Sequence, residues 1–259
     1  MTEEAWIESN TGRLFARRWH PRTVRSDAAL VLLHDSLGCV ELWRDFPRSL
    51  AEATGREVIA YDRPGFGRSA AHPHQLNSSF IAAEAHDGFA ATIRHFHVNR
   101  FAVLGHSVGG AMAAYCAAAS AGHCMALITL SAQAFVEERT LQGIRAARQS
   151  FSQPEQLARL ERYHGDRATW VLDAWVNSWL ADNFRDWCLD AVLSQVQCPL
   201  LAIHGSEDEY GSLRHPERIT ALAVGPAETL VLPCGHLPHR EQPERVLEAI
   251  ADFLARHSD

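Results

Sequence analysis

The chain has 259 residues, with 24 Lys+Arg against 31 Asp+Glu, 47% hydrophobic residues and 21% charged ones. Those proportions fit an ordinary globular protein and exclude a disordered or collagen-like chain. A net charge of -7 with no Lys/Arg cluster also excludes a surface built to track phosphates, so nucleic acid is not an expected partner.

The length permits one sizeable hydrophobic core, with room for an insertion. The N-terminus, Met1-Thr2-Glu3-Glu4-Ala5-Trp6, is acidic where a signal peptide would be basic, and no apolar run reaches the roughly 18 residues of a membrane span. A cytoplasmic protein without a membrane partner is expected. Cys39, Cys116, Cys124, Cys188, Cys198 and Cys234 form no CxxC pair and read mostly as small buried apolar residues.

Two alternating segments, Trp6-Ile7-Glu8 and Leu14 to Trp19, flank Asn10-Thr11-Gly12 and predict an antiparallel hairpin. Ala28 to Leu33 is a continuous apolar run of strand length, as in a parallel strand buried on both faces. A helix pattern from about Leu42 to Thr54 is closed by Gly55. Strand Glu57–Tyr61, a helix from Ser79 to Phe96, strand Arg100–Leu104, an Ala-rich helix from Val108 to Ser120 and strand Met125–Leu130 follow. This alternation predicts an α/β architecture with right-handed crossovers.

Between Ala134 and Val196 apolar residues recur at helical spacing instead. Leu172, Trp175 and Trp179 share a helix face there, readable as packing for a small helical insertion or as the roof of an apolar pocket. The sheet resumes with Pro199–His204 and Glu228–Leu232, and an amphipathic helix from Pro243 to Arg256 ends the pattern.

Gly105-His106-Ser107-Val108-Gly109 lies between an apolar strand and an Ala-rich helix, the context a nucleophile elbow requires. A serine in such a turn can equally be a plain helix N-cap. What favours nucleophilic chemistry is a later acid and histidine, because a hydroxyl attacks only after a base takes its proton. Gly205-Ser206-Glu207-Asp208-Glu209 and Cys234-Gly235-His236 each follow a strand, and loops leaving the carboxyl ends of parallel strands meet at one rim of the sheet. The pairs His72/His74, His95/His97 and His236/His239 lack any accompanying metal-ligand framework, so no metal is expected.

Together with His34-Asp35-Ser36-Leu37-Gly38, Asp62-Arg63-Pro64-Gly65-Phe66-Gly67-Arg68-Ser69 and Glu241-Gln242-Pro243-Glu244, these motifs resemble the α/β-hydrolase family over essentially the whole chain. The resemblance implies a mostly parallel eight-stranded sheet with helices on both faces, a core of residues 1–133 and 196–259, and a helical cap over 134–195. It implies Ser107 as nucleophile, His236 as base and later acid, and Asp208 as the orienting acid, three residues after Gly205. Glu207 and Glu209 are then solvated. The backbone amides of Ser36 and Val108 would form the oxyanion hole, and Leu37, His106, Phe135, Trp175, Trp179 and Leu237 are the candidate pocket residues. Most relatives have glycine where this chain has Asp35, whose carboxylate is expected to turn away and bond local backbone amides. Asp62 to Ser69 is expected to be turn structure.

The expected activity is cofactor-free hydrolysis of a small, mostly apolar ester or lactone; Ser36-Leu37-Gly38 is similar to enol-lactone hydrolases. A carbon-carbon bond hydrolase and a ligand-sensing relative stay open, as does a homodimer. Ser107 argues against epoxide hydrolases and haloalkane dehalogenases, which use a carboxylate nucleophile.

Overall fold

A computed structural model describes residues 1–257 of the chain. Strands β1 (Thr2–Ser9) and β2 (Gly12–Trp19) form the expected hairpin, with Ser9 opposite Gly12, whose φ of 129° only glycine adopts readily. Six further strands complete one sheet: β3 (Ala29–Leu33), β4 (Val58–Tyr61), β5 (Phe101–His106), β6 (Cys124–Leu130), β7 (Leu200–Gly205) and β8 (Ala227–Leu232). The order across the sheet is β1-β2-β4-β3-β5-β6-β7-β8. The β1–β2 and β2–β4 pairings are antiparallel and all the others are parallel.

Strand periodicity splits the core into two layers. In β3, Ala29, Val31 and Leu33 face one apolar cluster while Leu30 and Leu32 face the other; in β5, Phe101 and Val103 oppose Ala102 and Leu104 in the same way. Helix α1 (Phe46–Thr54) and the last helix, α11 (Pro243–Arg256), cover one face. On the other lie α2 (Phe80–Ala83), α3 (Gly88–His95), α4 (Val108–Ala119) and α9 (Arg214–Leu222), with α10 (Pro238–Glu241) preceding α11.

Two expected helices are interrupted. Val40–Trp43 is a separate 3-10 turn, set off from α1 by Arg44 at φ 53° and by Pro47 in the first turn of α1. The Ser79–Phe96 span breaks at Asp87 (φ -115°, ψ -94°), whose carboxylate bonds the hairpin tip at Asn10 N (3.0 Å) and at Thr11 Oγ1. A tertiary bond overrides helical pattern at that point. Five cysteines are buried and Cys188 is exposed.

Between β6 and β7 the chain forms α5 (Glu138–Ser150), α6 (Pro154–His164), α7 (Ala168–Trp179) and α8 (Asp190–Leu193). A single antiparallel bridge joins Phe135 to Cys188, and Leu189 N donates to Ala134 O at 2.8 Å, so this segment leaves and rejoins the sheet at one neck. No helix is long and apolar enough to cross a membrane among the described residues.

Candidate active site

β5 passes into α4 through Ser107, which is held at φ 56° and ψ -126°, a strained conformation for a residue with a side chain. The glycines around it make room. A Cβ on Gly105 would lie 2.0 Å from Gly109 O, and one on Gly109 would lie 2.2 Å from Leu33 O. Ser107 N donates to Leu130 O (2.8 Å), and Gly110 N donates to Ser107 O (2.9 Å), which pins the turn on both sides. The hydroxyl therefore stands at the N-terminus of α4, where backbone amides and the helix dipole favour negative charge. It donates to Gln133 Oε1 at 3.3 Å, its one side-chain hydrogen bond among the described residues.

The loop after β7 buries Asp208, whose Oδ1 accepts from Tyr210 N (2.7 Å) and Gly211 N (3.2 Å). His236 Nδ1 reaches both carboxylate oxygens, at 2.9 and 2.8 Å. Burial works to raise the Asp208 pKa, but the hydrogen bond and charge of His236, with His204 and the Tyr210 amide, outweigh it and hold the group below its ordinary value. Burial likewise opposes charge on His236, and Asp208, helped by Glu209 and Asp35, outweighs it and raises the imidazole above its ordinary value. Glu241 fixes the histidine loop by accepting from Gly235 N (2.8 Å) and Leu237 N (3.1 Å). With Nδ1 donating to Asp208, Nε2 is the nitrogen able to take a proton.

Ser107 and His236 line one cavity of about 210 Å³. Asp35, Ser36, Leu37, Gln133 and Leu237 line it with them, together with Thr140 and Ile144 of α5, Trp175 and Trp179 of α7, and Glu209 and Tyr210 after β7. Trp179 serves both readings of its helix face, since it is 3% exposed and packs edge-on to Trp187 and Phe184 while lining the cavity. Gln133, Thr140, Ile144 and Tyr210 were not singled out by sequence. Gln133 and Tyr210 had a signal, because each follows the carboxyl end of a strand at the same rim; Thr140 and Ile144 had only helical spacing.

Three expectations need correction. Asp35 does not bond local amides: its Oδ2 lies 3.5 Å from His106 Nδ1, and its Oδ1 is buried without a partner against Gly38, where a Cβ would come within 2.2 Å. The missing side chain of Gly38 opens that space. Burial opposes ionisation there, but the His106 hydrogen bond and charge, with the charges of His34 and His236, hold the Asp35 carboxyl well below the usual range. His106 itself is 2% exposed and lies outside the 210 Å³ cavity, donating from Nε2 to His236 O at 2.9 Å. Phe135 lies outside it too, its ring packed at a tilt against His215 with centroids 4.4 Å apart.

The Asp62–Ser69 stretch is held as a turn: Asp62 accepts from Val40 N (2.6 Å) and Arg68 N (2.7 Å), and Ser69 Oγ donates to Asp62 O (2.6 Å). Burial pushes Asp62 up to about 6. His164 at the end of α6 ties this turn to the loop carrying Ser36. Its Nδ1 accepts from Gly67 N (2.8 Å) and its Nε2 donates to Leu37 O (3.0 Å), which uses both nitrogens of a neutral ring.

The sequence profile of the alpha/beta hydrolase family matches residues 30–249. The chain belongs to that family. Among solved structures, this α/β hydrolase resembles a membrane phospholipase A described as a bacterial virulence factor (TM-score 0.81, 21% identity, 100% of this chain and 87% of the other). It also resembles the proline iminopeptidase of Mycobacterium smegmatis (TM-score 0.75, 19% identity, 98% of each chain). The enol-lactonase of Burkholderia xenovorans is similar as well (TM-score 0.73, 17% identity, 97% of this chain and all of the other). No curated protein sequence matches the chain. Likeness at these identities establishes the shared fold of the α/β hydrolase, and chemistry must be argued from its own residues.

Proposed function

We propose that this α/β hydrolase is a serine hydrolase that cleaves a small, mostly apolar ester or lactone through an acyl-enzyme on Ser107. One observation carries the reading: an imidazole bonded through Nδ1 to a buried carboxylate lines the same cavity as a serine on a strained turn at a helix N-terminus. His236 Nε2 takes the Ser107 proton as Oγ attacks the carbonyl carbon. Negative charge on the resulting tetrahedral oxygen is met by the amides of Val108 and Ser36. His236 then gives its proton to the departing alcohol oxygen, which stays tethered when the substrate is a lactone. Water attacks the acyl group with His236 again as base, releasing the acid and restoring Ser107.

Asp208 orients the imidazole and stabilises its charged form. The Gln133 bond to Ser107 marks a resting position from which the hydroxyl turns toward His236; such catalytic contacts commonly tighten only when substrate is bound. Residues 134–195 act as a cap, since Thr140, Ile144, Trp175 and Trp179 supply most of the apolar wall. No cofactor enters any step.

The test is turnover of p-nitrophenyl esters and aryl lactones of increasing acyl length by the wild-type protein and by Ser107→Ala. Many turnovers per protein molecule, lost in the variant, are expected. Hydrolysis that survives in Ser107→Ala overturns the mechanism, and a single slow turnover points to ligand sensing instead.

A further inference from the structure

We propose that the substrate of this cavity carries a positive charge, an ammonium group close to the scissile ester or lactone, and that carboxylate-bearing substrates are rejected. The proposal deepens the serine-hydrolase reading and rests on it. Its starting point is the charge of the wall: Asp35 and Glu209 both line the cavity, and no lysine or arginine among the described residues does. Arg139 and Arg240, from neighbouring segments, are turned to the carbonyl oxygens of Asp208 and Leu42 and do not line it.

Neither carboxylate is paired side chain to side chain with an arginine or lysine among the described residues, though buried Arg63, which donates to Asp35 O at 2.8 Å, and Arg240 both feel the Asp35 charge. Glu209 is exposed and forms no ion pair or side-chain hydrogen bond among the described residues. Asp35 Oδ1 is buried without a hydrogen-bond partner, and Oδ2 lies 3.5 Å from His106 Nδ1. Asp35 and Glu209 line the same cavity as His236 and Ser107. A substrate carboxylate there would lose its water to meet two like charges; an ammonium would gain both.

The aromatic wall suits the same ligand. Trp175 and Tyr210 meet edge to face with ring centroids 5.8 Å apart, and Tyr210 lies 4.9 Å from His236. Indole and phenol faces attract a cation, most strongly one with few waters to shed, such as a quaternary ammonium. A vinylogous diketone acid, the substrate type of a carbon-carbon hydrolase, would bring an anion into this negative field.

The experiment compares three p-nitrophenyl esters whose acyl chains end in trimethylammonium, in its neutral tert-butyl isostere, or in carboxylate. In the wild-type protein kcat/KM should favour the cation over the isostere by on the order of tenfold, with the anion poorest. The preference should shrink as salt is raised. The cation-to-isostere ratio should fall toward one in Asp35→Asn with Glu209→Gln, a ratio insensitive to any general loss of activity. A wild-type ratio of one or less overturns the proposal while leaving Ser107 chemistry standing. Calorimetric binding of the same esters to Ser107→Ala separates the two claims: equal affinities for cation and isostere also overturn it. Tenfold tighter binding of the cation supports it even if the wild-type protein hydrolyses none of them, a result that would sink the hydrolase reading alone.

Discussion

His106 Nε2 holds the main chain of His236, donating to its carbonyl oxygen at 2.9 Å with the two rings 5.0 Å apart. The residue before the proposed nucleophile thus braces the proposed base, and Asp35, 3.5 Å from His106 Nδ1, braces His106 in turn. A feature that departs from the usual glycine at position 35 is thereby connected to the position of the imidazole proposed to move protons.

His106→Leu keeps most of the volume and removes the donor. Small displacements of a reacting group are costly, so kcat should fall by about 10- to 100-fold with KM little changed. Steady-state kinetics checks this, and an unaltered kcat would remove the positioning role.

Activity should rise with pH as His236 loses its proton. Because Asp208 holds the imidazole above its ordinary value of 6.5, the inflection in kcat/KM should lie above 6.5. Asp208→Asn should lower kcat on the order of 10⁴-fold, because the imidazole loses the partner that orients it and stabilises its charged form. Glu207→Gln should change little, since Glu207 is exposed. The reverse pattern between these two variants would reassign the acid.

Stability should fall on acidification between about pH 6.5 and 4. His215 Nδ1 accepts from Ala134 N (3.1 Å) and Nε2 donates to Glu137 (3.0 Å), so the folded ring is neutral, and burial pushes its pKa down to about 4. The unfolded chain takes up the proton first as pH drops. The stabilisation is complete above the unfolded value and is lost toward pH 4 at up to about 1.4 kcal/mol per pH unit. Urea unfolding at pH 7 and 5 should show a smaller loss for His215→Gln than for wild type; equal losses would count against the assignment.

Much of this architecture could be read from residues alone because burial on both faces leaves uninterrupted apolar runs such as Leu30 to Leu33, and because the glycines at 105 and 109 answer a steric demand. The breaks at Arg44 and Asp87 were hidden, since each depends on where the chain goes next: Asp87 serves a hairpin tip 77 residues earlier. The same reason hid Asp35. Whether its carboxylate bonds an amide or lies against Gly38 and His106 is decided by the space that Gly38 leaves. Thr140 and Ile144 escaped notice because helical periodicity reports a buried face without saying whether protein or ligand covers it.

Ile144→Ala should lengthen the favoured acyl chain by about one or two carbons, because Ile144 lines the cavity and its truncation enlarges it. The chain-length profile of p-nitrophenyl esters reads this directly. An unchanged optimum would place the acyl group elsewhere.

Gly109→Ala should cost about 3 kcal/mol or more, since the added Cβ would meet the Leu33 carbonyl, a backbone atom that cannot rotate away. A melting temperature within 2 °C of wild type, roughly the shift from less than 1 kcal/mol in a chain this size, would refute that strain.

The single neck at Phe135 and Cys188 makes the inserted helices a cassette that can be exchanged without rethreading the sheet. His164 sets the condition on any such exchange. Since this one imidazole accepts from Gly67 and donates to Leu37, a transplanted cap that lacked an equivalent would strand an amide and a carbonyl next to the Ser36 loop. Grafted specificity would then arrive with a loosened Ser36 loop, the proposed oxyanion hole, and chimeras of this scaffold should be designed around that ring first.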